Sequence, residues 1–143
     1  MTINDLRKGR YSVLEQDYFV TFTTLKRMPV MLNHEVALTI CQAIHIETKF
    51  TTLAWVVMPD HVHLLLTLKS GTLGEAMQSI KGRSSREVGT IMPNFKWAKG
   101  YYEHALRHEE CRKQIARYIV ANPLRADLVT DIGQYPWWDA CYL

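Results

Sequence analysis

The segment Leu53–Leu68, LAWVVMPDHVHLLLTL, sets the tightest limit on how this chain can fold. Two short apolar, β-rich runs flank a Pro59-Asp60 turn signal, so 53–58 and 61–68 read as the strands of a buried hairpin. Tyr18–Leu25 (YFVTFTTL) is aromatic and β-branched with near alternation, and reads as another strand. Asn33 is a helix N-cap candidate. Val36, Ile40, Ala43, Ile44 and Ile46 follow at largely helical spacing, which predicts a helix over about 33–48.

Beyond the hairpin, Gly71-Thr72 opens a second helix. Thr72 and Glu75 have capping-box spacing, and Leu73, Ala76, Met77 and Ile80 supply the apolar face. Gly89 to Lys99 reads as loop, and Tyr101–Leu106 as a short strand. Glu109 and Glu110 are expected to begin a last helix, because carboxylates suit the positive end of the helix dipole. Cys111, Ile115, Tyr118 and Ile119 would form its apolar stripe. Pro123 disfavours helical geometry at Asn122, so a break or a new helix falls there. The order β-α-β-β-α-β-α predicts an α+β fold: a ferredoxin-like, RRM-like antiparallel sheet with helices packed mainly on one face.

With 143 residues, 48% of them apolar and 22% charged, and no repeat or linker, the chain is expected to be one domain over 1–143. No apolar run approaches the ~20 residues that span a bilayer. The opening MTINDLRKGR lacks a signal core, and Cys41, Cys111 and Cys141 have neither zinc-site spacing nor a disulfide framework, so a cytoplasmic setting is expected. The net charge of +3 is unevenly spread. Lys69–Arg125 holds eleven Lys/Arg against five Glu, and the remainder is net acidic. A basic half suits a polyanion partner, and equally a solvated surface.

Two local patterns carry chemistry. On a strand, side chains at i and i+2 share a face, so His61 and His63 would present two imidazoles side by side while Val62 faces the other layer. Such a pair can chelate one divalent metal, although alone it equally suits two histidines on a sheet surface. On a helix, Tyr118 and Asn122 lie at i and i+4 and point one way. Taken alone, Tyr118 fits core packing and Asn122 fits an N-cap.

Together, VMPD-HVH and a Tyr-x-x-x-Asn-Pro-x-Arg-Ala run resemble the single-tyrosine HUH transposases, and more closely the REP-associated tyrosine transposases. The matching segments are YFVTFTT (18–24), WVVMPDHVHLLL (55–66), MQSIKGRSSR (77–86), GYYEHALRHEE (100–110), ARYIVANPLRADLV (116–129) and YPWWDA (135–140). The resemblance implies that His61 and His63 hold a metal, that Asn122 completes its site, and that Tyr118 is the nucleophile. It points to Mg²⁺ or Mn²⁺ and to single-stranded DNA bearing a hairpin, acted on by a monomer or a homodimer. Asp127 departs from it, standing where many relatives have Gly, and the chain stops soon after Tyr142 with little tail for further DNA contacts.

The activity so implied is DNA cutting near hairpins and rejoining through a 5′-phosphotyrosyl intermediate. No GxxxxGK[ST] motif is present, in keeping with a reaction that needs no nucleotide. Lys81, Arg83, Arg86, Lys96, Lys99, Arg107, Arg112 and Arg117 are candidate phosphate contacts. Trp97, Tyr101 and Tyr102 are candidates for base stacking or for the core. Arg125 is expected either on DNA or on a local carboxylate. Two other readings use the same residues: an RRM-like module that binds single strands without catalysis, and a metal-dependent phosphodiester hydrolase. The first lacks an RNP1-type aromatic motif, since the corresponding strand carries HVH.

Overall fold

A computed structural model describes residues 12–107 and 110–141. MTINDLRKGR, Glu109 and Tyr142 lie outside the described residues. The elements run β1 (Asp17–Thr23), α1 (His34–Ile46), β2 (Phe50–Val57), β3 (His61–Leu68), α2 (Leu73–Gly89), β4 (Tyr102–Ala105), α3 (Arg112–Val120), α4 (Asn122–Arg125) and β5 (Trp138–Ala140). They form one antiparallel sheet in the order β4-β1-β3-β2-β5. The first four positions have the ferredoxin-like arrangement, and β5 extends it along the free edge of β2.

β3 is the central strand, which explains its unbroken apolar run. Leu64, Leu66 and Leu68 join the core beneath α1 and α2, while Leu65 joins the core beneath α3. The sheet is thus covered by α1 and α2 on one face and crossed by α3 on the other, so β3 is buried from both sides. A bulge between Thr52 and Ala54 reverses the alternation of β2. Phe50 therefore packs with α1 and α2, whereas Ala54 and Val56 pack with α3.

The caps follow the sequence. Asn33 Oδ1 accepts from the N–H groups of Glu35 (2.9 Å) and Val36 (3.3 Å). Thr72 and Glu75 form the reciprocal capping box at the start of α2. The β2–β3 turn holds only Pro59-Asp60 outside the paired backbone, with Met58 N–H donating to His61 O at 2.8 Å. This clip fixes the register: Val56 lies opposite His63 and Val57 opposite Val62.

The last helix differs from expectation in two ways. It begins at Arg112 with Cys111 as N-cap, because Glu110 is engaged elsewhere: its carboxylate accepts from Arg107 N–H at 2.7 Å and contacts His104. Its buried residues are Ala116, Ile119 and Val120, whereas Cys111 and Tyr118 are exposed. The stripe is rotated away from Tyr118. Asn122 begins α4 and does not cap it, since Ala121 holds the cap position.

α4 ends in a Schellman turn. Leu128 N–H donates to Pro123 O (2.9 Å) and Asp127 N–H to Leu124 O (3.1 Å). Asp127 occupies the position that favours glycine, with φ +57°. The turn is therefore the kind a glycine would make, formed here by one of the side chains that best tolerates left-handed backbone.

Candidate active site

The α3-facing side of the sheet brings together residues from β1, β3 and β4. Register places Thr23 opposite His61, Thr21 opposite His63, and Phe19 opposite both Leu65 and His104. His61 and His63 share this face, with ring centroids 4.7 Å apart and planes at 74°.

Each imidazole is held through Nδ1. His61 Nδ1–H donates to Asp60 Oδ1 at 2.7 Å, and Asp60 Oδ2 accepts from Arg27 Nε at 2.9 Å. His63 Nδ1 lies 2.7 Å from Thr21 Oγ1. The carboxylate can only accept, so His61 keeps its Nε2 lone pair for a cation, and His63 does the same when its Nδ1–H donates to Thr21 Oγ1. This is how supporting hydrogen bonds commonly orient metal-binding histidines. Among the described residues no cluster of three or more His, Cys, Asp or Glu completes such a site. The donor set is thus two neutral nitrogens, with the half-buried Asn122 the one further protein ligand expected.

Electrostatics keep His63 in ligand form. Burial pushes His63 down from 6.5 to about 3, and the charges of His61, Arg125 and Arg27 act in the same direction. For Asp60, burial pulls the carboxyl upward, but hydrogen bonds from His61 and Arg27, with their charges, outweigh it and hold it below 3.8.

Arg27 reaches Asp60 from a turn stapled to the hairpin. Thr24 N–H donates to Asp60 O at 3.0 Å, and Thr24 Oγ1 to Met28 O at 2.8 Å. Lys26 and Arg27 both have positive φ, +56° and +55°. Strained backbone beside a site is retained only where the surroundings over-determine it.

Tyr118 is 55% exposed, which decides between its two readings: it is a surface side chain at the site, not a core residue. It lines a cleft of about 510 Å³ with Phe19, Thr21, His63, Tyr102, His104, Glu110 and Ile115. Phe19 is the hub, its ring centroid 5.5 Å from His63, 6.2 Å from Tyr102 and 6.4 Å from Tyr118. Among the described residues Arg125 is paired with no carboxylate. Its Cζ stands 3.9 Å from the centre of the Tyr118 ring, and its Nη2 donates to Tyr118 O at 2.7 Å. One chain therefore sets His63 and Tyr118 around one cleft, with Arg125 stacked on the tyrosine.

The predicted DNA contacts divide by environment. Arg86, Lys96, Lys99, Arg107 and Arg117 are exposed, and Arg83 is half-buried. Lys81 is tied down, its Nζ donating to Ala98 O (2.8 Å) and Gly100 O (2.9 Å). Arg112 pairs with buried Asp17, which also accepts from Thr67 Oγ1 at 2.7 Å. Trp97 leans on the core, ring to ring with Phe22 (4.8 Å) and Phe95 (5.0 Å), and donates to Ser84 Oγ at 2.9 Å. It nevertheless edges a second groove of about 490 Å³, lined also by Lys81, Lys96 and Tyr101. Tyr102 is exposed. Thr21, Asp60 and Phe19 escaped the sequence reading of the site. Strand parity from His63 could have pointed to a partner on β1, but nothing local marks the Arg125–Tyr118 stack.

No helix among the described residues is long and apolar enough to cross a membrane. Comparison with known proteins identifies the family. A REP-associated tyrosine transposase of Escherichia coli is 29% identical over 86 residues, 59% of this chain and 50% of that protein, so the chain spans about half the length of this relative. The ISDra2 transposase TnpA of Deinococcus radiodurans is 28% identical over 127 residues, 80% of this chain and 89% of that one. The solved structure of a REP-associated tyrosine transposase bound to a REP hairpin shares the fold, with TM-score 0.73 and 24% identity over 90% of this chain and 79% of the other. Residues 12–122 match the family described as IS200-like transposases, a match that takes in the hairpin, both histidines, the tyrosine helix and Asn122, and the chain belongs to that family.

Proposed function

We propose that this chain is a single catalytic unit that cuts and rejoins single-stranded DNA beside a hairpin, with Tyr118 as nucleophile. The observation that carries the reading is the common cleft: an exposed phenol and one of two pre-oriented imidazoles line it from the same chain. That arrangement supports a monomer acting in cis.

In the proposed reaction Tyr118 Oη attacks a DNA phosphorus, the Oη–P bond forms and the P–O3′ bond breaks. A 5′-phosphotyrosyl enzyme and a free 3′-hydroxyl result, and the reverse attack by a 3′-hydroxyl rejoins the strand. His61 Nε2, His63 Nε2 and the Asn122 amide would hold Mg²⁺ or Mn²⁺, which when bound neutralises and orients the phosphate. Arg125 keeps the Tyr118 ring in place, and its positive charge is felt at His63. Asp60 fixes the His61 tautomer, and Thr21 holds the His63 ring in place. The exposed cations Arg86, Lys96 and Lys99 suit the phosphates of a strand and its hairpin.

The test is incubation of the chain with labelled single strands bearing hairpins, with Mg²⁺ or Mn²⁺, scored for a covalent adduct on denaturing gels. Wild type forms the adduct. Tyr118→Phe binds the strands and forms none, and a Phe variant that still forms it overturns the assignment. Phosphodiester cleavage without an adduct would favour the hydrolase reading, and binding alone the RRM-like one.

A further inference from the structure

We propose that His104, oriented by Glu110, is the general base that takes the phenolic proton of Tyr118. The inference rests on the tyrosine reading above and supplies a group that reading lacks. A phenol with an ordinary pKa near 10 is only about 0.1% ionised at neutral pH, so its attack calls for a proton acceptor.

Among the described residues lining the cleft, the acid-base candidates are few. His63 has Nδ1 against Thr21 and its other nitrogen on the proposed metal side. His104 and Glu110 have no part in that arrangement and face the same space as Tyr118.

Their geometry defines a tautomer. His104 Nε2 lies 2.9 and 3.0 Å from the two oxygens of Glu110. An ionised carboxylate can only accept, so Nε2 carries the hydrogen and Nδ1 the lone pair. The hydrogen bond from Arg107 N–H, then that from His104, hold the Glu110 carboxyl below its usual range. A carboxylate so placed both fixes the imidazole and stabilises the imidazolium formed when it accepts a proton. His104 also sits opposite Phe19 on the neighbouring strand, the residue whose ring adjoins Tyr118. The cleft they share, about 510 Å³, has room for a phosphate and a water.

Other charges near His104 come from the turn that follows β4, from β1 and the turn before it, and from α3. Among the described residues they are Arg107, the Asp17–Arg112 pair, Glu15 with its partner Lys69, and Glu110 itself, with Tyr102 and Tyr118 the phenols of the cleft. Asp17 pairs with Arg112 and Glu15 with Lys69, whereas Glu110 is the carboxylate in direct contact with this imidazole.

The step balances without a further reagent. The phenolic O–H breaks as Nδ1–H forms on His104, and Tyr118 Oη forms its bond to phosphorus. The P–O3′ electron pair leaves with the 3′ oxygen, which takes a proton from solvent. On rejoining, the imidazolium returns its proton to the departing phenolate.

The test measures single-turnover adduct formation across pH 6–9 with the hairpin strand most reactive toward wild type. Wild type should rise with pH to a plateau. His104→Gln keeps a donor for Glu110, should bind the strand within about twofold of wild type, and should lose about 10²–10⁴-fold in rate. Its rate should climb with pH without a plateau, following hydroxide. His104→Ala should be partly rescued by added imidazole, and Glu110→Gln should shift the plateau to lower pH. A His104→Gln rate within a few-fold of wild type with the plateau intact overturns the inference while leaving Tyr118 as nucleophile. So do an Ala variant deaf to imidazole and a Glu110→Gln profile that does not move. A wild type that forms no adduct overturns the nucleophile reading and this inference together.

Discussion

Asp60 Oδ1 stands 2.7 Å from His61 Nδ1, while Oδ2 of the same carboxylate takes Arg27 Nε at 2.9 Å. A turn residue thus fixes the imidazole that follows it, and a strained turn of another segment fixes the carboxylate. Asp60→Asn keeps the shape and removes the charge. It should weaken Mn²⁺ binding about 10–100-fold, the usual cost of losing an outer partner of a metal-binding histidine. Calorimetric titration with Mn²⁺ reads this directly, and an unchanged affinity would mean Asp60 serves only the turn.

The buried state of His63 makes acid stability a second test. Its folded value, about 3, is depressed below 6.5 chiefly by burial. The unfolded chain therefore binds the proton first, so this contribution to stability is complete above 6.5 and is lost as pH falls toward 3. The slope cannot exceed about 1.4 kcal/mol per pH unit. Asp60, held below 3.8, adds to the loss at the lower end of that window. Urea midpoints of metal-free protein should fall between pH 6.5 and 4, and less steeply in His63→Gln. Parallel slopes would remove His63 as the cause.

Arg125 offers a third. A cation over an aromatic face contributes about 0.5–2 kcal/mol. Arg125→Lys keeps the charge but lacks the flat guanidinium and its fork of donors. We expect adduct formation at saturating strand to slow by about 2- to 30-fold. Arg125→Met should slow it further, because the charge beside the phosphate is lost as well. Equal rates in the two variants would show that the charge contributes nothing.

Asp127→Gly tests the turn after α4. At φ +57° a glycine avoids the steric cost that a Cβ incurs, against some loss of chain entropy. The expected gain in unfolding free energy is up to about 1 kcal/mol, read by thermal or urea denaturation. A clear loss would mean that the Asp127 side chain contributes something the turn geometry does not explain.

Elements with a local cause were legible in the sequence. Asn33, the Thr72–Glu75 box and the Pro59-Asp60 turn each act within a few residues, and each is where the pattern placed it. Features set by tertiary contact were not. β5 is three residues long and exists because β2 offers it an edge. Glu110 would suit a helix start, yet contact with His104 across the turn keeps it outside α3. The His pair was visible through strand parity. The exposure of Tyr118 was not, because Ile115 and Ile119 can lie on an apolar stripe with or without it, and only packing against β2, β3 and β5 decides which way α3 turns.

The two-residue turn between β2 and β3 has a consequence for how this chain can vary. Side chains along a strand alternate, so a slip of one position would swing both imidazoles into the layer beneath α1 and α2 and bring Val62 out in their place. The pairing that closes the hydrophobic core is thus also the ruler that measures out the metal ligands. A single inserted or deleted residue at Pro59-Asp60 would damage folding and chemistry in one stroke.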